Sequence, residues 1–97
     1  MFGNNMMKKL QEMQAKVEET KERLNHIKLI GEAKEGAVRV EVNGNGVITS
    51  IEAKDNNLSQ VELIGLIQTA ANRALEQANR TKEMEMAQSA KGIVPGM

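Results

Sequence analysis

From Met6 onward the apolar side chains recur at Met6, Leu10, Met13, Val17, Leu24 and Ile27, with Thr20 holding the missing place in the series. Steps that alternate between four and three residues keep these positions on one stripe of a helix. Asn4 and Asn5 carry side-chain oxygens suited to an N-cap, and Gly31 falls just beyond the point where the pattern dies. A helix is therefore predicted over residues 5–27.

The period then changes. Val38, Val40 and Val42 alternate with Arg39, Glu41 and Asn43, the two-residue repeat of a strand with one buried face. Asn43-Gly44-Asn45-Gly46 follows, a tight-turn signal because Asn and Gly tolerate positive φ. A returning strand is predicted over 47–53, in which Ile48 and Ile51 can share a face only if a bulge separates them. A strand over 28–34 precedes, turning through Lys34-Glu35-Gly36 into the strand at 37–43. The middle of the chain is thus a three-stranded antiparallel meander.

Ser59-Gln60-Val61-Glu62 has the spacing of a capping box, flanked by Leu58 and Leu63 as a hydrophobic staple. The apolar face that follows runs through Ile64, Ile67, Ala70, Ala71, Ala74, Leu75 and Ala78, then thins to Met84 and Ala87. A second helix is predicted over 59–89, with Gly92 and Pro95-Gly96 opposing its continuation and residues 91–97 forming a loose tail. The fold class is α+β: long helix, antiparallel meander, long helix.

Length turns these elements into a shape. A helix of about 30 residues is roughly 45 Å long, whereas a compact chain of this size has a radius of gyration near ~13 Å. The helices must project from the body. A small sheet under one helical layer also leaves an apolar face or edge uncovered. A symmetric homodimer answers both difficulties, with Val38, Val40, Val42, Ile51, Ile64 and Ile67 as candidates for core or dimer contact.

Composition narrows the chemistry. The 97 residues contain one aromatic, Phe2, and no cysteine, so a disulfide scaffold, a thiolate metal site and a thiol nucleophile are excluded. Stacking platforms for single-stranded nucleic acid are missing too. His26 is the only imidazole and sits where a helix C-terminus favours a cation. Gly44-Asn45-Gly46 lacks the Gly-Lys-Ser/Thr and the helix that a phosphate loop needs. The carboxylates of Glu32, Glu35, Glu52 and Asp55 are not bracketed as an acid–base couple and are expected to be solvated. No enzyme activity, cofactor, metal or small-molecule substrate is expected. No apolar run approaches the ~20 residues of a membrane span, and the start Met-Phe-Gly-Asn-Asn-Met-Met-Lys-Lys lacks a signal-peptide layout. A cytoplasmic location is expected.

Thirteen Lys and Arg balance thirteen Asp and Glu, so placement matters more than sum. With Leu10 at heptad position a, Lys9, Lys16 and Arg23 occupy g, Lys21 and Lys28 occupy e, and Glu12, Glu18, Glu19 and Glu22 fall on outer positions. Parallel pairing of two such helices would oppose like charges and is disfavoured. On the second helix Glu62, Glu76 and Glu83 share one column and could cross-pair with the first helix, while Arg73 and Arg80 stand three residues before Glu76 and Glu83 and could neutralise them. Lys8, Lys9, Lys16, Arg23, Arg73 and Arg80 are candidate phosphate contacts for duplex DNA; the alternative is an ordinary solvated face. A rival function is a clamp that holds another protein on a methionine-lined seam of Met6, Met7, Met13, Met84 and Met86, against which stands plain core packing of Met6 and Met13.

Several stretches in order resemble one family. Met1-Phe2-Gly3, the run Met6 to Gln14 (MMKKLQEMQ), the hairpin Val40-Glu41-Val42-Asn43-Gly44-Asn45-Gly46, the segment Ala70-Ala71-Asn72-Arg73-Ala74 and the tail Gly92-Ile93-Val94-Pro95-Gly96-Met97 are similar to the YbaB/EbfC family of bacterial nucleoid-associated proteins. The stretch Ala53-Lys54-Asp55-Asn56-Asn57-Leu58 departs from the Ile-Asp-Pro type of link often seen there. The resemblance implies a tweezer-like homodimer with protruding helical arms. It also implies duplex DNA as partner, a place in the nucleoid, and roles in nucleoid organisation, gene regulation and DNA protection.

Overall fold

The computed structural model describes the backbone of residues 2–54 and 57–93 and the side chains of residues 5–54 and 57–89. Five elements follow one another: α1 (Phe2–Asn25), β1 (Lys28–Ala33), β2 (Val38–Asn43), β3 (Ile48–Ala53) and α2 (Gln60–Ile93). The strands form one antiparallel sheet in the order β1-β2-β3. This is the α+β meander between two long helices that the periodicities predict.

Alternation along β2 decides the core. Val38, Val40 and Val42 are fully buried beneath α2, together with Ala33 of β1 and the Ala70, Ala74 and Ala78 stripe of α2. Leu63, Leu66, Ile67, Ala71, Leu75 and Leu29 pack around this centre. Small residues at i, i+4 and i+8 let the helix lie close on the strands. Gly31 completes the approach: a Cβ there would stand 2.1 Å from the Ala70 carbonyl oxygen. Gly31 therefore lies within β1 as a packing glycine, not at the end of α1. The other face of the sheet carries Glu32, Arg39, Glu41 and Glu52 and meets solvent, as one face of an antiparallel sheet can.

The expected bulge is present. Glu41 pairs with Ser50 and Val42 with Ile48, so Thr49 is the extra residue, and Ile48 joins Ile51 on the inner face. Asn43 organises the turn, accepting the amides of Asn45 and Val47 on its Oδ1 at 2.9 and 3.1 Å. The same turn finishes α1. Gly44 donates to the Leu24 carbonyl at 2.8 Å, satisfying a last-turn acceptor of the helix, and Asn45 Nδ2 donates to the Lys21 carbonyl one turn earlier at 2.9 Å.

Helix ends differ from expectation. α1 starts at Phe2, so Asn4 and Asn5 lie inside it, and α2 runs through Gly92 to Ile93; once a helix is nucleated, each added residue brings a bond and end signals yield. The tail residues 94–97 lie outside the described residues. Ser59 caps α2, its Oγ accepting the Glu62 amide at 3.1 Å.

α1 runs antiparallel to the C-terminal half of α2, because Thr20 meets Ser89 and Arg23 meets Glu85. Thr20 is buried in that seam and also donates to the Lys16 carbonyl at 2.8 Å. In this register α2 ends at Ile93, four residues past Ser89, when α1 has reached only Lys16. The first half of α1 therefore overhangs. Leu24 is buried, but Met13, Leu10 and Met6 are 42%, 58% and 66% exposed, so Met6 and Met13 are not core residues of this chain. The molecule measures 69 × 20 × 18 Å with a radius of gyration of 18.9 Å, as projecting helices require.

Candidate nucleic-acid interface

The six candidate cations do not form one ridge. Lys8 and Lys9 are exposed on the overhanging part of α1 and make no ion pair or hydrogen bond through their side chains among the described residues. Lys16 and Arg23, two turns apart on the same helix, line a cleft of about 220 Å³ with Gln88 and Ser89 of α2. Lys16 Nζ stands 3.7 Å from Glu19, and Arg23 3.2 Å from Glu85. Both contacts are exposed, and such pairs are worth only ~0–1 kcal/mol, so either cation can exchange its partner for a phosphate oxygen.

Arg73 and Arg80 occupy another flank of α2. Arg73 donates to the Glu32 carbonyl of β1 at 2.7 Å, a structural bond. Arg80 meets Glu76 at 2.8 Å, four residues upstream. The expected pairs of Arg73 with Glu76 and Arg80 with Glu83 are therefore absent: Arg73 is occupied by β1, and Glu placed four residues before a cation is a favourable helical orientation. Cross-helix pairing also departs from the Glu62, Glu76 and Glu83 column. Its one ion pair among the described residues is Arg23 with Glu85, since α1 packs against the flank that carries Glu85 and Ser89. That partner was missed because the relative rotation of two helices is not written in either one's period.

Gln77 was missed as well; its Nε2 donates to the Ile30 carbonyl at 3.0 Å. Its place four residues after Arg73, on the same flank, was the available signal. The Gly44-Asn45-Gly46 turn offers no phosphate cradle, because the Gly44 amide is committed to Leu24. His26 is exposed just past the end of α1, with Nε2 3.6 Å from Glu22. Among the described residues no group of three or more His, Cys, Asp or Glu could hold a metal, and no helix is long and apolar enough to cross a membrane. The outer sheet face, where Arg39 contacts Glu32 at 3.2 Å amid Glu41 and Glu52, is acidic on balance and suits no polyanion.

The sequence that builds this helix–meander–helix has counterparts among known proteins. Residues 2–93 match the model of the YbaB/EbfC DNA-binding family. The chain belongs to that family. Among YbaB/EbfC relatives, a nucleoid-associated protein of Chlorobium phaeobacteroides is 33% identical over 94 residues, covering 96% of this chain and 85% of its own. One from Alkaliphilus metalliredigens is 35% identical over 98 residues, with 97% and 86% covered. One from Flavobacterium johnsoniae is 30% identical, with 95% and 88% covered. The likeness carried by the short motifs extends along nearly the whole chain.

Proposed function

We propose that this chain acts as a nucleoid-associated homodimer in the bacterial cytoplasm that binds duplex DNA chiefly through phosphates and alters its conformation. The observation that carries this is the Lys8–Lys9 pair, unengaged among the described residues, on a helical arm that outreaches its neighbour and is continued by Lys16 and Arg23. Phosphate contacts position a protein without reading bases, so sequence preference is broad or set by DNA shape. Two arms per dimer grip or bridge duplexes, which links binding to nucleoid organisation, gene regulation and DNA protection. The chain is formally neutral, and affinity is modest.

Titration of a labelled duplex at rising salt tests the mechanism. Affinity falls steeply, and each phosphate contact removed lowers the slope of log K against log salt by about 0.9. Lys8→Glu, Lys9→Glu and Lys16→Glu together weaken binding at low salt while leaving the helical circular dichroism unchanged. A variant that bound as tightly as the parent at every salt concentration would defeat the phosphate mechanism.

The exposure of Met6, Leu10 and Met13 favours a second function, a clamp that seats another protein on this seam. Leu10→Gln with Met13→Gln separates the two: DNA binding survives the pair of substitutions if phosphates carry it.

A further inference from the structure

One stripe of α1 changes neighbours part-way along. Its C-terminal half is seated on α2, where Leu24 and Thr20 are buried, Ser89 meets Thr20 and Glu85 stands 3.2 Å from Arg23. N-terminal to Lys16, where α2 has ended, the same stripe continues as Met13, Leu10 and Met6, all of them exposed. Val17, between the two halves, is half-buried. Leu10, Met13, Gln14 and Val17 line a groove of about 710 Å³ that is open to solvent. From Asn5 to Lys16 the overhang gives roughly 17 Å of axis, about three turns, to a neighbour.

Beside this groove the cations keep step. Lys9, Lys16 and Arg23 recur every seven residues, so they border the stripe along both halves. α2 answers Arg23 with Glu85 and has ended before Lys9 is reached. Lys16 has only Glu19 of its own helix, 3.7 Å away in an exposed contact, and Lys9 has no ion pair among the described residues. A second α1 does not supply the missing acids, since in either direction it would set one cation column against another. Ile51 and Ile64, 49% and 59% exposed, also lie outside the core of Val38, Val40, Val42 and Ile67, but neither stands beside a heptad column of cations.

We propose that the overhanging half of α1 docks an amphipathic helix of a different protein, one whose apolar stripe is flanked by Asp or Glu at heptad spacing. The incoming helix continues the course of α2, antiparallel to α1. Its apolar side chains enter the groove at Leu10 and Met13, and its acids take Lys16 and Lys9 as Glu85 takes Arg23. Burial of the stripe holds the helix, as in other helix-in-groove complexes, while the charges select which helix is accepted. Unbranched methionines at the groove let it fit apolar side chains of varied shape. The proposal rests on the second function above, the seating of a protein on this seam, and adds the chemistry of the partner.

The test uses the full chain and three labelled synthetic peptides of about three heptads, followed by fluorescence anisotropy at ~0.15 M salt. The first peptide carries Leu at a and d and Glu at e and g; the second replaces those Glu by Lys; the third keeps the Glu and scrambles the Leu. The first binds, and the second and third bind about tenfold or more weakly. Leu10→Gln with Met13→Gln, and Lys9→Glu with Lys16→Glu, each weaken the first peptide by about tenfold. Val61→Gln, at an exposed apolar position of α2, leaves it unchanged. The Lys9→Glu, Lys16→Glu chain gains affinity for the Lys-flanked peptide, a result that an unfolded chain does not give. Glu- and Lys-flanked peptides bound equally well by the parent would leave a helix-seating seam but overturn the acidic partner. Failure of both, or a scrambled peptide bound as tightly as the first, would overturn the seam itself. Duplex DNA affinity lost with the Leu10→Gln pair would give the stripe to nucleic acid, and a lower sedimenting mass would give it to a second copy; either overturns the proposal.

Discussion

At Gly31 and Glu35 two backbone demands meet opposite residue choices. Gly31 is where α2 comes down on β1, and a methyl group there would collide with helix backbone that cannot step aside. Lys34 and Glu35 hold φ of 52° and 55° in the turn before Gly36, a region that costs an L-residue roughly 1–2 kcal/mol. Gly31→Ala should destabilise by about 1–3 kcal/mol, and Glu35→Gly should stabilise by up to ~1 kcal/mol. Urea unfolding at one protein concentration measures both. The need for a small residue at Gly31 was not legible in the sequence, where the glycine reads equally well as the stop of α1. A close approach between segments far apart in the chain leaves no local pattern.

Among the elements, β2 and the hairpin after it were legible nearly residue by residue, because a period of two and an Asn-Gly turn are both local. The bulge in β3 was legible from Ile48 and Ile51 alone. The start of α2 was legible in Ser59, whose hydroxyl accepts the Glu62 amide. Ser59→Ala should cost about 1 kcal/mol, and amide exchange should rise in the first turn of α2 more than in β2. The seam of α1 was legible as a stripe, but not which half of it is covered. That follows from the register with α2, set by Thr20 with Ser89 and by Arg23 with Glu85.

On the scale of the molecule, that register makes one helix both anchor and arm. Leu24→Ala removes a fully buried side chain and should cost about 2–5 kcal/mol. Leu10→Gln, on the same stripe but beyond the end of α2, should change stability by no more than ~0.5 kcal/mol. Equal losses at the two sites, again by urea unfolding, would mean that the overhang is covered in solution. The arrangement puts Lys8 and Lys9 farthest from acidic neighbours on α2, which is why they, and not Arg73 or Arg80, stand first as candidate phosphate contacts.

By itself the chain's sequence determined the kind, order and number of its elements, the inward face of β2 and the sign of charge beside the α1 stripe. All of these depend on spacing along one segment. The tertiary structure alone decided which cations are engaged, which carbonyls Arg73 and Gln77 close, and that Ile51 and Ile64 remain outside the core. Those outcomes depend on the distance and rotation between segments dozens of residues apart, which only packing sets.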